Sequence, residues 1–191
     1  MCVRSTRLVK RDSKSVMDRM FSPWRAQHIA RMTDPAAERE ADDGCSLFAR
    51  LAAANDDEAN LILWRGTHVF VLMNRYPYNN GHLMVIPFRT VDAYDALTDA
   101  ERYELSDAIA ACMGWLKAAL HPEGFNVGIN QGEAAGAGIP DHLHVHVVPR
   151  WSADTNFMPV TAATKVIPEA LTETYQKLKH ALAQDIAANP A

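Results

Sequence analysis

Cysteine is scarce in this chain, and long apolar runs are missing. Cys2, Cys45 and Cys112 are the only cysteines among 191 residues. Their odd number and wide spacing argue against a disulfide framework and favour a reducing compartment, so we expect a cytoplasmic protein. Apolar stretches such as 83–87 are far too short to span a bilayer, so the sequence predicts no transmembrane helix and no membrane partner.

An excess of basic residues is missing as well. The chain has 19 Lys and Arg against 23 Asp and Glu, which gives a formal net charge of −4. Proteins dedicated to nucleic acids usually carry a basic excess, so nucleic acid is not expected as a partner. A small anionic substrate is still compatible with this composition, because one pocket can be positive on an acidic protein.

The first 19 residues differ from the rest in charge. They hold six Lys and Arg but two Asp, and no apolar stretch follows that would make them a secretory signal. We predict a disordered basic tail over 1–19, with an organelle transit segment as the alternative. Residues 20–191 are then long enough for a single domain with a hydrophobic core.

Hydrophobic periodicity predicts an α+β fold. Five short segments have strand character, at 60–64, 69–73, 82–86, 125–130 and 142–148. A capping box at Thr98 and Glu101 opens a long amphipathic helix that ends near Leu120. A short helix is predicted at 45–54 and a C-terminal helix from Pro168 to about Ala187. Together these indicate an antiparallel sheet of about five strands with one long helix and a C-terminal helix.

The segment 141–149 carries the clearest chemical signal. His142, His144 and His146 alternate with aliphatic residues, so in a strand they share one face, roughly 6.6 Å apart, and the aliphatic residues are buried on the other. A neutral imidazole can attack phosphorus while neighbouring donors stabilise the phosphate oxygens. Three histidines on one face can also bind a catalytic zinc ion, and this alternative stays open at the level of spacing.

Two further segments supply candidate polar groups. Residues 130–138 begin with Asn130 and Gln131 and include three glycines, whose backbone N–H groups can approach phosphate oxygens. In the hairpin, Asn74 ends one predicted strand and His82 begins the next. An ordinary turn explains each segment taken alone; a glycine-rich loop that leads into three histidines favours a phosphate site.

With these motifs the sequence resembles the histidine-triad (HIT) superfamily. The signature His-x-His-x-His followed by two apolar residues is matched by 142–148, and the similarity extends from about Phe21 to Arg150. The residues 147–150 and the spacing of 11 positions between Gln131 and His142 resemble the branch that cleaves dinucleoside polyphosphates. That branch includes fragile-histidine-triad proteins and bacterial diadenosine-tetraphosphate hydrolases and phosphorylases.

The resemblance implies catalytic roles for four histidines. His144 attacks the α-phosphate and forms a nucleotidyl-histidine intermediate, which water or inorganic phosphate then resolves. His146 bonds phosphate oxygens or assists the leaving group. His142, supported by His82, orients the nucleophile.

The resemblance also implies a set of substrate contacts. Gln131 binds the phosphate chain, Asn74 holds the ribose, and apolar residues near Leu72 flank the base. Asn130, Gly136 and Gly138 complete the predicted substrate-binding set. No essential cofactor is expected, although Mg²⁺ is compatible as a companion of the polyphosphate, and relatives of this kind form homodimers.

This sequence departs from the family pattern at two places, which concern the structural zinc site and the acceptor of the reaction. Zinc-binding relatives carry Cys-x-x-Cys, whereas Cys45 is followed here by Ser46-Leu47-Phe48, so we expect no structural zinc site and assign no metal ligands. Gly138 stands where some relatives place a residue that contacts the leaving phosphate, so hydrolysis and phosphorolysis both stay open. The alternatives are a nucleoside phosphoramidase or related nucleotidyl transferase, a tri-histidine metal enzyme, and a nucleotide-binding module without turnover.

Overall fold

A five-stranded antiparallel sheet forms the centre of the computed structural model, which describes residues 45–155 and 166–188. The strands run in the order β1-β2-β3-β5-β4, and every neighbouring pair is antiparallel. Their bounds are β1 Ile62–Arg65, β2 Val69–Met73, β3 Leu83–Pro87, β4 Gly124–Ile129 and β5 Val145–Arg150.

Three α-helices accompany the sheet in the described part of the chain: α1 Leu47–Ala53, α2 Asp99–Leu120 and α3 Leu171–Ala188. The capping box that opens α2 is present, because the Thr98 hydroxyl accepts the Glu101 N–H and the Glu101 carboxylate accepts the Thr98 N–H. Both the α+β class and the element order are therefore as predicted. The basic segment 1–19 lies outside the described residues, so the proposed tail stays a prediction.

The two faces of the sheet carry different layers. Alternate strand residues, among them Val71, Val85 and Val147, pack beneath α2 and α3 in the larger hydrophobic cluster. The strand residues on the other face of the sheet form a smaller hydrophobic cluster with Phe48 of α1. Its strand members are Ile62, Phe70, Leu72, Met84 and Ile86. Because side chains alternate along a strand, His146 lies on this second face, between the core residues Val145 and Val147. No helix in the described ranges is long and apolar enough to cross a membrane.

Two strands start at least two residues later than predicted, while the bounds of β3 and β4 differ from the predicted ones by one residue. β1 starts at Ile62 rather than at residue 60, because Leu61 has a positive φ of 57° and turns the chain. β5 starts at Val145 rather than at His142. The N–H of Leu143 donates instead to the main-chain oxygen of Val91, which ties the 142–144 segment to the loop before α2.

Candidate active site

The three histidines of the 142–146 segment are buried rather than arranged along an exposed strand face. The exposed fraction is 0% for His142, 6% for His144 and 7% for His146. His142 and His144 precede β5, and both pack edge-on against Phe48, with ring centroids 5.7 Å and 5.1 Å away. The expected strand start at His142 was wrong, because the chain becomes strand only at Val145. The predicted alternation holds, because the aliphatic residues between the histidines enter the larger core while the imidazoles lie on the other side.

Both ring nitrogens of His142 are engaged by the protein. Its Nε2 lies 2.8 Å from the main-chain oxygen of Pro87, which can only accept, so Nε2 carries a proton. Burial lowers the pKa of His142, which favours the neutral ring at pH 7. Nδ1 then holds the lone pair and accepts the hydroxyl proton of Ser46.

The tautomer of His144 follows from the same kind of contact. Its Nδ1 lies 2.9 Å from the main-chain oxygen of His142, so Nδ1 carries the proton and donates. The neutral ring therefore places its lone pair on Nε2, which is the state needed for nucleophilic attack on phosphorus. The ring also meets His146 edge-on, with a centroid distance of 4.9 Å.

His82 supports His146 and not His142, so the predicted pairing of His82 with His142 was wrong. The main-chain N–H of Tyr78 donates to Nδ1 of His82 at 3.1 Å, so the proton of the neutral ring is on Nε2. This Nε2 lies 3.0 Å from Nδ1 of His146 and donates to it. In its neutral form His146 then carries its own proton on Nε2, where it can act as a hydrogen-bond donor or a general acid.

The turn between β2 and β3 holds His82 in place. Gly81 has a φ of +73°, and a Cβ there would lie 2.5 Å from Cδ1 of Leu120 in α2. Only glycine fits this backbone and this close approach to the helix. The amide of Asn74 adds a second contact to Nδ1 of His82 at 3.3 Å, while its oxygen accepts the N–H of Tyr76. Asn74 thus contacts His82, and its role at the ribose stays a prediction.

Of the two polar residues that follow β4, Asn130 contacts the triad, whereas Gln131 bonds the loop before α2. The amide group of Asn130 lies 3.3 Å from Nε2 of His146, which brings this predicted residue to the triad. Because Nε2 carries a proton, the amide must turn its oxygen towards it to accept a hydrogen bond. The amide oxygen of Gln131 accepts the N–H of Tyr94 at 3.0 Å. That contact fixes the orientation of the Gln131 amide, and its two N–H donors have no partner among the described residues.

The glycines that follow have different backbone requirements. Gly132 and Gly136 have positive φ values of 77° and 83°, which favour glycine, whereas Gly138 does not. A Cβ at any of the three would meet no atom of the described residues within 4 Å. Packing within the described residues therefore does not explain Gly138, and its contact with phosphate stays a prediction. Leu72 is buried in the cluster with Phe48, on the face that carries His146.

The side chains do not form the tri-histidine metal site that spacing allowed. His142 uses both ring nitrogens for Pro87 and Ser46, so it has no lone pair to offer a metal ion. Among the described residues, no group of three or more His, Cys, Asp and Glu side chains is arranged as metal ligands. Phe48 occupies the position of the second cysteine of Cys-x-x-Cys, and its ring packs on the histidines.

Sequence reasoning missed three residues of this site. Ser46 and Phe48 come from α1 and its N-cap, about a hundred positions before the triad in the chain. Tyr78 lies in the turn between β2 and β3, and its ring is 4.5 Å from that of His82 and 5.3 Å from that of His146. Serine before a short helix is an N-cap signal, but nothing in the sequence connects it to His142.

Comparison with known proteins identifies relatives over most of the chain. The family model described as the HIT domain matches residues 56–153. A Mycobacterium tuberculosis protein named AP-4-A phosphorylase is 38% identical over 162 residues, 85% of this chain and 83% of the relative. A Schizosaccharomyces pombe protein named bis(5'-nucleosyl)-tetraphosphatase [asymmetrical] is 34% identical over 82 residues, 43% of this chain and 44% of the relative.

Solved structures agree on the fold. A zinc-bound histidine triad family protein from Mycobacterium smegmatis superposes with a TM-score of 0.61 at 21% identity. The superposition covers 75% of this chain and 97% of that protein. At this identity the likeness concerns the fold and not the ligand.

Proposed function

Because the chain belongs to the histidine-triad family, we propose that it is an enzyme that cleaves dinucleoside polyphosphates at the α-phosphate through a nucleotidyl-histidine intermediate on His144. One observation carries the proposal. The bond from Nδ1 of His144 to the main-chain oxygen of His142 places the nucleophilic lone pair on Nε2. The neighbouring His146 is held with a proton on its own Nε2, so a nucleophile and a donor lie side by side.

In the first step, Nε2 of His144 attacks the α-phosphorus and a P–N bond forms. The P–O bond to the bridging oxygen breaks, and the leaving nucleotide takes its electron pair. The substituted imidazole now carries a positive charge, and its Nδ1–H still donates to the oxygen of His142. This hydrogen bond strengthens as charge develops on the ring, so it stabilises the transition state more than the ground state.

His146 acts on the phosphate side of the reaction. Its Nε2–H donates to a phosphate oxygen or to the bridging oxygen of the leaving nucleotide. The bond from His82 to Nδ1 of His146 keeps the donor on Nε2, the nitrogen that faces Asn130. Hydrogen-bond donors aimed at developing negative charge typically contribute about 3–4 kcal/mol each.

The second step releases the nucleotide. Water or inorganic phosphate attacks the phosphorus, the P–N bond breaks, and its electron pair returns to Nε2 of His144. The incoming nucleophile loses a proton, which goes to a neighbouring base or to solvent. We propose inorganic phosphate as the acceptor, because the M. tuberculosis relative that matches 85% of this chain is named a phosphorylase.

We assign the remaining polar residues to the substrate. Gln131 donates through its amide to the phosphate chain, and Asn74 holds the ribose beside His82. The substrate set is completed by Asn130, Gly136, Gly138 and the apolar surface around Leu72. Mg²⁺ accompanies the polyphosphate in this proposal, and no resident cofactor is assigned.

We further propose that the protein is a homodimer and works in the cytoplasm. The edge strand β4 supports the dimer, because its outer side has no partner strand among the described residues and Val127 is 44% exposed. An exposed edge strand can extend the sheet across a two-fold axis. The cytoplasmic location rests on the sparse cysteines of the sequence.

The test is incubation of the purified protein with diadenosine tetraphosphate, with and without inorganic phosphate, followed by separation of the nucleotides. We expect ADP and ATP when phosphate is present. AMP and ATP without phosphate would indicate a hydrolase instead. Cleavage in neither reaction would contradict the substrate assignment, and adenosine phosphoramidate would then be the next substrate to test.

A further inference from the structure

Ser46 makes two hydrogen bonds that join α1 to the histidine segment. As the N-cap of α1, its hydroxyl oxygen accepts the N–H of Ala49 at 3.2 Å. The same hydroxyl donates its proton to Nδ1 of His142, a residue 96 positions later in the chain. Ser46 is itself buried, with 6% of its surface exposed.

The direction of these bonds is determined by what each partner can do. A main-chain N–H can only donate, so the bond from Ala49 occupies a lone pair of the Ser46 oxygen. Nε2 of His142 donates to the carbonyl of Pro87, so Nδ1 of the neutral ring can only accept. The serine hydroxyl has one proton, and this arrangement directs it at His142.

The ring of His142 connects this serine to the nucleophile. The main-chain oxygen of His142 accepts the proton on Nδ1 of His144, which sets the tautomer of the nucleophile. A ring held at Nδ1 by Ser46 and at Nε2 by Pro87 cannot rotate without breaking a bond, so the main chain of His142 is anchored as well.

We propose that Ser46 is a positioning residue: it holds His142 as the neutral Nε2–H tautomer, and through the main-chain oxygen of His142 it orients His144 for attack. The kinetic part of this inference rests on the proposed function. Its structural part concerns the tautomer of His142 alone.

The surroundings make the hydroxyl hard to replace. Phe48 packs edge-on against His142 with ring centroids 5.7 Å apart, so an apolar ring borders the same side chain. Without the serine proton, a fully buried Nδ1 loses its donor next to that ring. A change of tautomer would break the bond from Nε2 to Pro87, so we expect the ring to turn instead, which disturbs the carbonyl that His144 uses.

The experiment compares Ser46→Ala and Ser46→Thr in the full-length protein. We expect Ser46→Ala to lower kcat for diadenosine tetraphosphate by about tenfold or more, with KM changed less than about twofold. Ser46→Thr keeps a hydroxyl and the N-cap, so we expect it to recover most of the activity. Thr98→Ala removes the N-cap of α2 and serves as the control for loss of a cap alone; we expect it to lower stability and leave kcat unchanged.

Nitrogen-15 NMR of the His142 ring tests the structural part without turnover. We expect the wild type and Ser46→Thr to show a protonated Nε2 and an unprotonated Nδ1. In Ser46→Ala we expect a shifted Nδ1 signal or a mixture of protonation states. An unchanged His142 spectrum together with unchanged kcat in Ser46→Ala would overturn the inference. If the wild type cleaves no dinucleotide, the proposed function fails, and the His142 spectrum alone decides the role of Ser46.

Discussion

Nδ1 of His144 donates to the main-chain oxygen of His142 at 2.9 Å, so two residues of the same segment determine which nitrogen of the proposed nucleophile carries the lone pair. Replacement of His144 by alanine removes the nitrogen that we propose attacks the phosphorus. We expect kcat to fall by at least about 10³-fold, because loss of a covalent nucleophile leaves only binding and the phosphate donors. The measurement is the initial rate of nucleotide release, together with labelling of the protein by radioactive substrate.

His144→Ala also tests how much the buried ring contributes to stability. The side chain is 6% exposed and packs on Phe48, so we expect a loss of about 1–3 kcal/mol in the free energy of unfolding. Urea denaturation measures this loss. If the variant stays folded and still becomes labelled at wild-type rate, His144 is not the nucleophile.

His82 is the second residue whose loss we expect to act mainly on kcat. His82→Ala removes the donor to Nδ1 of His146, so the proton on Nε2 of His146 is no longer fixed. We expect kcat to fall by about 10- to 100-fold, with a smaller change in KM.

Asn74→Ala is the matched comparison for His82→Ala. It removes only one of the two donors to Nδ1 of His82, since the N–H of Tyr78 stays in place. If Asn74 also holds the ribose, this variant raises KM more than it lowers kcat. Equal effects of the two variants on kcat would contradict the separate roles assigned to them.

Gln131 offers a test of the phosphate contact. Its oxygen accepts the N–H of Tyr94, so the amide N–H groups are the part that can reach an anion. We expect Gln131→Ala to lower kcat/KM by a factor that corresponds to about 1–3 kcal/mol. Gln131→Glu keeps the oxygen for Tyr94 but brings negative charge towards the phosphates, so it should lower kcat/KM further. An unchanged kcat/KM in both variants would remove Gln131 from the site.

The sequence predicted elements that depend on local periodicity and capping. The long helix begins after Thr98 and ends at Leu120, and β2 covers 69–73, as expected from their apolar patterns. Alternation also predicted that Val145 and Val147 would enter the core. These features are local, because each depends on residues within a few positions of one another.

The site itself depends on contacts between distant segments, and there the prediction was incomplete. Extrapolating the alternation back to His142 predicted that the strand starts there, but the N–H of Leu143 bonds to Val91 and β5 begins only at Val145. The partner of His82 could not be read from the sequence either. In the register between β3 and β5, Met84 pairs with His146. This pairing places His82 beside His146 rather than beside His142.

The edge strand β4 leads to a prediction about assembly. Val127 is 44% exposed on this strand, and Ile186 is 55% exposed on α3. If two chains pair through β4, Val127→Arg places a charge in the interface, and we expect a monomer at micromolar concentration. Ile186→Arg is the matched control and should leave the dimer intact. Sedimentation of the wild type as a monomer would rule out the proposed dimer.

Glu101 connects the start of α2 to the loop after β3, and this contact predicts how stability depends on pH. Its carboxylate accepts two bonds from Arg89, at 2.9 and 2.6 Å, and one from the N–H of Thr98. The Arg89 guanidinium is the main cause that lowers the pKa of Glu101 from 4.5 to about 2. A carboxyl group with a lowered pKa in the folded state contributes stability above its unfolded pKa. That contribution is lost as pH falls through the folded value.

We therefore expect Glu101→Gln to lose about 2 kcal/mol of stability at pH 7, a figure reduced for the half-exposed Arg89 partner. Glutamine still suits the capping box, so the loss reports the charge rather than the cap. Between pH 4.5 and 2 the wild type should lose this advantage, and the two urea midpoints should converge. Asp99→Asn removes a carboxylate that is 76% exposed in its pair with Arg102 and should change stability little at any pH. Parallel pH profiles for wild type and Glu101→Gln would mean that the buried carboxylate does not determine the acid sensitivity of the fold.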